Sequence, residues 1–371
     1  MGWSFKIGRV FGIDLKVHLT FLLILVWGAL NYGGSAGWGY GLLVTLALFT
    51  LVILHELGHS LAAKWYGIPV KDIILLPIGG VARLERMPDK PIQELVVAIA
   101  GPLVNVVLAV MLLPVVVVTG AMQPGAFTMT RAMEPGLFGL ATFLLLANVS
   151  LVIFNMIPAF PLDGGRVFRA GLALFTDYAR ATRWAVIVGR LAAIGMGIFA
   201  IVTGQIFLAL IAFFIFIAGG QEGEAAQARS LLRRVQASQA LSTNHVALAP
   251  TATIGQVASM MLTAPQGNFA VLDPADGKLL GVATSGSIAG AMQRGEWHRR
   301  ITEVMHHAAS IPTIALTATL DEAQDKLSGA STQVVAVFDG LHFKGLITAN
   351  DIYRIFRFLA RSGYIPQPAR A

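Results

Sequence analysis

The stretch HELGH (residues 55–59) lies inside an apolar run that covers residues 42–63. On a helix, His55 and His59 are four residues apart and share one face, so both imidazoles can reach a single metal ion. Glu56 follows the first histidine and is placed to act as a general base toward water held at that metal. A buried histidine pair satisfied by neighbouring groups is the alternative interpretation. Ionisable side chains are costly in such an apolar run, and a metal site accounts for them.

The composition of the 371-residue chain is typical of a polytopic membrane protein. Hydrophobic residues make up 56% and charged residues 13% of the chain, and the mean hydropathy is +0.70. These values are too apolar for an ordinary soluble protein. The chain contains no cysteine, so a zinc site has to use nitrogen and oxygen ligands. The net charge of +7 is not accompanied by a nucleic-acid-binding module, and we expect no nucleic-acid partner.

Hydropathy predicts an α-helical membrane domain over residues 1–220 with about six spans. Residues 1–16 alternate apolar and basic side chains, which predicts a short strand or an interfacial segment. No small-residue cleavage site follows the first apolar run, so we expect that run to be retained as a span. The six predicted spans cover residues 17–32, 41–65, 95–118, 137–157, 184–203 and 206–218.

Lysine and arginine residues are distributed unevenly between the loops. Segment 63–91 contains five of them and segment 163–183 contains four, whereas the three alternate loops together contain only Arg131. By the positive-inside rule, both termini lie in the cytoplasm, and the metal motif lies toward the cytoplasmic side. We therefore expect a multi-pass protein of the cell membrane with a cytoplasmic tail.

The segment after the second span contains two strand-like pieces. Segment 68–85 holds the stretches IPVKDIILL and GGVARLE, which are split by Pro77 and by Gly79-Gly80. This pattern predicts a β-hairpin at the membrane surface, and a plain surface loop is the alternative. A free edge of such a hairpin could pair with an extended substrate.

The fourth span ends in NMIPAFPLDGG (residues 155–165), where two prolines and two glycines stop the helix. Irregular backbone at membrane depth persists only where it is buried in protein or lines a wet cavity. Asp163, just past this break, is therefore predicted to be the third metal ligand. An ordinary turn aspartate that caps the next helix is the alternative. In the third span, Gly101-Pro102 and Asn105 predict a bend with one amide at depth, which is often only a packing feature.

After the sixth span the chain becomes soluble in character and repeats itself. Three stretches recur at an offset of 66 and then 64 residues: 252–254 at 318–320, 270–273 at 336–339, and 281–288 at 345–352. Each copy reads helix, strand, turn, strand, helix, so the pattern predicts a cytosolic α/β pair. The predicted boundaries are a linker at 221–243, a first module at 244–305 and a second module at 306–371.

HELGH in one span, together with NMIPAFPLDGG at the end of another, strongly resembles the site-2 protease family of intramembrane zinc metalloproteases. The resemblance implies that His55, His59 and Asp163 bind one Zn²⁺ per chain and that Glu56 is the catalytic base. These are the four residues that the spacing had already selected.

The same resemblance implies further roles that spacing alone does not. It implies that Asn155 helps to bind the substrate's peptide carbonyl and that the hairpin near Gly79-Gly80 guides the substrate. The implied activity is hydrolysis of a peptide bond in or near the transmembrane segment of a single-span membrane protein, as in regulated intramembrane proteolysis.

The repeated tail resembles a tandem pair of cystathionine-β-synthase-type (CBS) modules. Such pairs often bind an adenine nucleotide through a Thr and an Asp in a G-x-x-T-x-x-D stretch. The second copy supplies Thr348 and Asp351, whereas Ser287 stands at the position of the Asp in the first copy. The resemblance thus implies at most one complete nucleotide site per chain. A purely structural module for docking or homodimerisation is the alternative.

A different class of function also fits part of the pattern. Histidine and aspartate within a membrane would suit a metal transporter or sensor gated by the CBS pair. Glu56 discriminates between the two functions, because a transport site does not require a carboxylate beside the first histidine. A catalytically inactive scaffold is a further alternative, but the complete set of ligands and base argues against it.

Overall fold

The computed structural model describes residues 3–33, 36–77, 79–84, 88, 90–120, 132, 134–241, 246–263, 266–330 and 332–362. Arg86 and Arg131, two of the basic residues in the charge distribution, lie outside the described residues. The chain divides into two compact units, residues 1–224 and residues 225–371.

In the residues that the structure describes, the first unit combines a small sheet with seven helices. Its strands are β1 (Ser4–Val10), β2 (Ile13–His18), β3 (Val70–Leu76) and β4 (Gly79–Leu84). Its helices are α1 (Phe21–Tyr32), α2 (Trp38–Trp65), α3 (Pro91–Gly120), α4 (Leu137–Asn155), α5 (Asp163–Ala173), α6 (Tyr178–Val202) and α7 (Ile206–Leu232), the last of which continues into the second unit.

Five helices in the described part of the chain are long and apolar enough to cross a membrane, namely α2, α3, α4, α6 and α7. The predicted first span differs from the structure. Val17 lies in β2, and α1 has only 12 residues. At 1.5 Å per residue α1 is about 18 Å long, against about 30 Å of hydrocarbon in a bilayer. The six predicted spans therefore become five long helices and one short apolar helix.

The four strands form one sheet in the order β1-β2-β3-β4. The predicted hairpin is present as the antiparallel pair β3–β4. The N-terminal residues form a second hairpin, β1–β2, whose turn places Phe11 at φ 50° and Gly12 at φ 77°. Strand β2 then pairs with β3 in parallel. Among the described residues β4 pairs with β3 alone, so β4 is an edge strand of the sheet.

Asp72 holds the two sides of the sheet together. Its buried carboxylate accepts a hydrogen bond from Lys16 Nζ on β2 at 2.6 Å and another from Arg83 Nε on β4 at 2.6 Å. Hydrogen bonds from Arg83, reinforced by Lys16, lower the pKa of Asp72 to about 2. The carboxylate is therefore ionised at neutral pH, and it fixes the edge strand β4 to the rest of the sheet.

The second unit contains the two predicted repeats. The first repeat comprises α9 (Ile254–Thr263), β5 (Phe269–Leu272), β6 (Leu279–Ala283), α10 (Ser285–Gln293) and β7 (His306–His307). The second comprises β8 (Thr313–Ala315), α11 (Leu320–Gly329), β9 (Val334–Asp339), β10 (His342–Thr348) and α12 (Ala349–Ser362). A short helix, α8 (Ala237–Ala240), precedes both.

The pairing of backbone groups reproduces the sequence repeat. Leu248 bridges Val271 in parallel, and Ile314, 66 residues after Leu248, pairs in parallel with Val337. The linker prediction omitted one feature of this unit. Part of the predicted linker, residues 232–240, packs into the hydrophobic core of the second repeat, and α7 extends through the start of that linker.

Candidate metal centre

Three ligand atoms converge at one point in the first unit. His55 Nε2 lies 3.1 Å from Asp163 Oδ2, His59 Nε2 lies 3.2 Å from the same oxygen, and the two Nε2 atoms are 3.1 Å apart. The two histidines are on adjacent turns of α2, and Asp163 is the first residue of α5. All three residues are buried. The structure thus brings together the three predicted ligands.

Neighbouring groups determine which nitrogen of each histidine carries the proton. His59 Nδ1 lies 2.7 Å from the backbone carbonyl of Val97, which can only accept a hydrogen bond. His59 therefore carries its proton on Nδ1 when neutral, and Nε2 presents a lone pair to the centre.

A chain of amides determines the proton position on His55 in the same way. Asn148 Nδ2 donates to the carbonyl of Leu144, so Asn148 Oδ1 is the atom that accepts from Asn105 Nδ2, at 2.8 Å. Asn105 Oδ1 consequently faces His55 Nδ1, at 2.5 Å, and Nδ1 must donate. Neutral His55 therefore also presents an unprotonated Nε2 to the centre.

Two imidazole lone pairs and one carboxylate oxygen facing one another repel unless a cation lies between them. Four tetrahedral ligands at the usual zinc distances lie about 3.3 Å apart, close to the 3.1–3.2 Å that separates these three atoms. Two neutral histidines, each donating its other N–H to an oxygen, and one carboxylate form a ligand set that zinc prefers, with a fourth position left for water. The residues present therefore fit Zn²⁺.

The segment before α5 determines where Asp163 lies. The N-cap of α5 is Leu162, whose side chain makes no capping bond, so Asp163 is not the capping aspartate of the alternative interpretation. A Cβ at Gly164 would lie 2.4 Å from the carbonyl oxygen of Ile157, and one at Gly165 would lie 2.7 Å from the carbonyl carbon of Ala159. The two glycines are required because α5 packs directly on the backbone that precedes it.

Glu56 links the metal centre to the sheet. Its Oε2 accepts a hydrogen bond from the backbone N–H of Ala82 on β4, at 3.0 Å. A Cβ added at Gly80, also on β4, would lie 2.7 Å from Glu56 Cγ. The Ala82 N–H is therefore directed away from β3, so the unpaired edge of β4 faces the carboxylate next to the first metal ligand.

Asn155 is the last residue of α4 and is partly exposed. Within the described residues, no hydrogen bond joins its side chain to the metal centre. The carbonyl-binding role implied for Asn155 stays a prediction.

Several residues of α3 and α4 support the metal centre, although their sequence pattern did not predict this role. Asn105 and Gly101 appeared only as features of a bent span, and Asn148 was not singled out. All three are small or amide residues in an otherwise apolar helix, and this is the feature of the sequence that could have indicated a role. Such residues often contribute only to helix packing, so the feature is not specific. In the structure Asn105 contacts His55, and a Cβ at Gly101 would lie 2.2 Å from His59 Nε2.

We expect Gly101→Ala to weaken zinc binding. The added methyl group would overlap the imidazole of His59 and push its Nε2 out of line with the other two ligand atoms. Displaced supporting groups typically reduce metal affinity by about 10- to 100-fold. Competition with a chromophoric chelator on the purified chain measures the change. Gly195→Ala is the matched control, because a Cβ at this helical glycine meets nothing within 4 Å; equal affinity in both variants would contradict the prediction.

In the tail, Thr348 and Asp351 are adjacent at the start of α12. The N–H of Thr348 donates to Asp351 Oδ2 at 3.1 Å, and the N–H of Asp351 donates to Thr348 Oγ1 at 3.3 Å. Thr348 Oγ1 also donates to Asp351 Oδ2, at 2.7 Å. Thr284 and Ser287 make the equivalent reciprocal contact at the start of α10. Both pairs are helix-capping boxes. The structure therefore gives Thr348 and Asp351 a structural role that does not require a nucleotide.

A bundle of membrane-length helices that carries a His-His-Asp centre beside a glutamate is the arrangement expected of a membrane metalloprotease. The family model of peptidase family M50 matches residues 43–196, which include all four of these side chains. A zinc metalloprotease of Methanocaldococcus jannaschii is 31% identical over 361 residues, which cover 97% of this chain and 98% of the relative. The chain therefore belongs to the M50, or site-2 protease, family of zinc metalloproteases.

Two solved structures each resemble a part of the chain. The site-2 protease from Methanocaldococcus jannaschii is 35% identical, covers 60% of this chain and 95% of its own, and gives a TM-score of 0.44. A CBS-domain-containing protein of Agrobacterium tumefaciens is 20% identical, covers 33% of this chain and 94% of its own, and gives a TM-score of 0.31. The membership of the site-2 protease family that the motifs predicted is confirmed by the family model and by the Methanocaldococcus jannaschii relative.

Proposed function

We propose that this protein hydrolyses a peptide bond in or near the transmembrane segment of a single-span membrane protein. One observation carries the proposal. The three convergent ligand atoms of His55, His59 and Asp163 lie next to Glu56, and Glu56 contacts an edge strand that pairs on one side only. A metal centre, a base and a surface for an extended peptide are thus adjacent.

The protein's own residues divide the chemistry between them. When bound, zinc would supply Lewis-acid activation of the scissile carbonyl and of the attacking water. Glu56 takes the proton from the attacking water and passes it to the leaving amine. We assign to Asn155, on the family resemblance, a hydrogen bond to the carbonyl oxygen as negative charge develops there.

A transmembrane substrate has to unwind before it can be cut, because a helix uses its own carbonyls in backbone hydrogen bonds. We propose that the unwound segment pairs with the edge of β4. Strand addition supplies new backbone hydrogen bonds in place of the lost helical ones. The contacts of Gly80 and Ala82 with Glu56 support this proposal, because a peptide added at that edge would lie against the base.

The test is a cleavage assay with the purified chain and candidate single-span substrates in detergent or liposomes. We expect cleavage that a chelator stops and that added zinc restores. Release of two fragments distinguishes the protease from the alternative, a metal transporter or sensor, which would move or bind metal without cutting. If none of the candidate substrates were cleaved by the zinc-loaded chain while metal crossed the liposome membrane, the proposal would fail.

We further propose that both termini and the tail lie in the cytoplasm. The excess of lysine and arginine in segments 63–91 and 163–183 supports this orientation. Because the chain has no cysteine, single cysteines introduced in the tail and in the α6–α7 turn can be labelled with a membrane-impermeant reagent. The tail cysteine should be labelled only in broken cells.

We also propose that the tail binds one adenine nucleotide and that its binding changes the cleavage rate. A nucleotide can do so only if it binds two arrangements of the tail with different affinity. The support is the G-x-x-T-x-x-D stretch of the second repeat, in which Thr348 and Asp351 are the Thr and the Asp. A docking surface, including one for a second copy of the chain, is the alternative role of the tail.

Asp351→Ala is expected to weaken nucleotide binding by at least about tenfold, which corresponds to the loss of about one charge-assisted hydrogen bond. It should also make cleavage insensitive to nucleotide without lowering zinc content. Calorimetric titration of the full chain with adenine nucleotides measures the affinity. Ser287→Ala is the control, since it removes the hydroxyl that accepts the N–H of Thr284 at the equivalent cap of the first repeat. If no adenine nucleotide binds at millimolar concentration, the tail is a docking or dimerisation module.

A further inference from the structure

Arg169 is an almost completely buried arginine in α5, six residues after Asp163, and it is 2% exposed. Its Nε donates to Glu94 Oε1 at 2.9 Å, and its Nη1 donates to Glu222 Oε1 at 2.7 Å. Two aromatic rings flank the guanidinium: the centroid of Phe160 lies 4.7 Å from Cζ, and that of Tyr178 lies 5.0 Å from it. One side chain thus joins four separate segments of the membrane unit.

Close packing alone does not account for this cluster. When an ion pair is buried, the loss of hydration offsets much of the attraction between its charges. Apolar residues of similar volume therefore often give equal or greater stability. The fork of the guanidinium nevertheless fixes direction as well as distance, because each N–H points at a particular acceptor. The cluster is therefore suited to hold segments in one register.

The contacts of Arg169 lead to both sides of the metal centre. Glu94 lies on α3 three residues before Val97, whose carbonyl accepts the hydrogen bond from His59 Nδ1. Phe160 lies three residues before Asp163 in the segment that leads into α5. Arg169 thus contacts one residue three positions before Val97 and another three positions before Asp163, although it does not touch the ligand atoms themselves.

We propose that Arg169 is a positioning residue for the metal centre: its contacts fix the position of Asp163 relative to His59. Glu222 completes the arrangement, because it ties α5 to α7 through the same guanidinium. This inference rests on the zinc site proposed above and adds to it a set of residues outside the ligand shell. Loss of the Arg169 contacts should therefore change the geometry of the bound metal and lower its affinity.

Two variants separate positioning from folding. Arg169→Met alone would leave Glu94 buried and charged, so the test uses the double variant Arg169→Met with Glu94→Gln, which removes both charges of that pair. Glu222→Gln is the milder second variant, because its side chain is 29% exposed and keeps its shape. Arg180→Met is the control, since Arg180 is an exposed residue that pairs with Asp177 three residues earlier.

The measurements are the zinc affinity of the purified full-length chain, by chelator competition, and the absorption spectrum of the cobalt(II)-substituted chain. Cobalt absorption reports the symmetry of the ligands and would not respond to a merely structural role. We expect the double variant to bind zinc about tenfold more weakly, at the lower end of the range for outer residues. We also expect its cobalt spectrum to change, a smaller change of the same kind in Glu222→Gln, and no change in Arg180→Met.

A wild-type zinc affinity and cobalt spectrum in both Arg169→Met/Glu94→Gln and Glu222→Gln would overturn the inference, whatever their melting temperatures. That result differs from a failure of the proposed function itself. If the wild-type chain bound no zinc, the metal site would be wrong. If the wild-type chain bound zinc and the variants bound it equally well, only the role of Arg169 would be wrong.

Discussion

Glu56→Gln is expected to abolish measurable cleavage while zinc content and folding stay unchanged. The substitution keeps the size of the side chain, and the amide oxygen can still accept the hydrogen bond from the Ala82 N–H. The ligand atoms of His55, His59 and Asp163 are not altered. What is lost is the ability to take a proton from water, and general acid–base catalysis usually contributes about 10²- to 10⁴-fold in rate.

The measurement is the initial rate of substrate cleavage by purified chain, with zinc content determined on the same sample. Glu224→Gln is a matched control, because Glu224 is an exposed glutamate of α7 that takes no part in the centre. Cleavage at the wild-type rate by Glu56→Gln would remove Glu56 as the base and leave the protease mechanism without a proton acceptor.

The three candidate ligands could be picked out from the sequence because each of them carries a local signal, although their meeting in space is long-range. Four-residue spacing places His55 and His59 on one face of any helix. Burying two ionisable side chains in apolar surroundings without a partner costs free energy, so a metal ion was the expected partner. Asp163 was recognisable because prolines and glycines on either side fix a rigid turn at the end of a span. None of these arguments requires knowledge of which helices are neighbours.

The supporting residues could not be predicted because their roles depend on the register between helices. Asn105 contacts His55, and Val97 contacts His59, only because α3 packs closely on α2 at Gly58, where an added Cβ would lie 2.7 Å from the carbonyl oxygen of Ala100. A single amide in an apolar helix can equally well bond to a neighbouring helix without any part in a site. The sequence pattern does not show which turn of the neighbouring helix the amide will contact.

The start of the first predicted span differs from the structure for a related reason. Residues 17–32 are apolar enough for a span, and hydropathy does not reveal that Val17 continues a strand. The strand exists because β2 pairs in parallel with β3, more than 50 residues later in the chain. Such long-range pairing leaves little trace in a local pattern. Asp72, which binds Lys16 and Arg83 across this sheet, likewise appeared in the sequence only as a charged residue of a hairpin.

Asp163→Ala is expected to reduce zinc binding more strongly than any change to a supporting residue. It removes the only oxygen among the three ligand atoms and leaves two histidines, whereas zinc sites with an open position normally use three protein ligands. The loss in affinity should exceed the 10- to 100-fold change typical of supporting residues. Activity should fall with zinc occupancy, because the same ion supports the chemistry.

Asp177→Ala provides the matched control for this prediction. Asp177 also begins a helix, but it is a true N-cap: its carboxylate accepts the N–H of Arg180 at 3.0 Å and lies in an exposed position. Its removal should cost about 1 kcal/mol of stability, as is usual for a lost cap, and should leave zinc content unchanged. Elemental analysis of both purified variants, alongside melting temperatures, separates the two roles. Full zinc occupancy in Asp163→Ala would mean that another residue completes the metal centre.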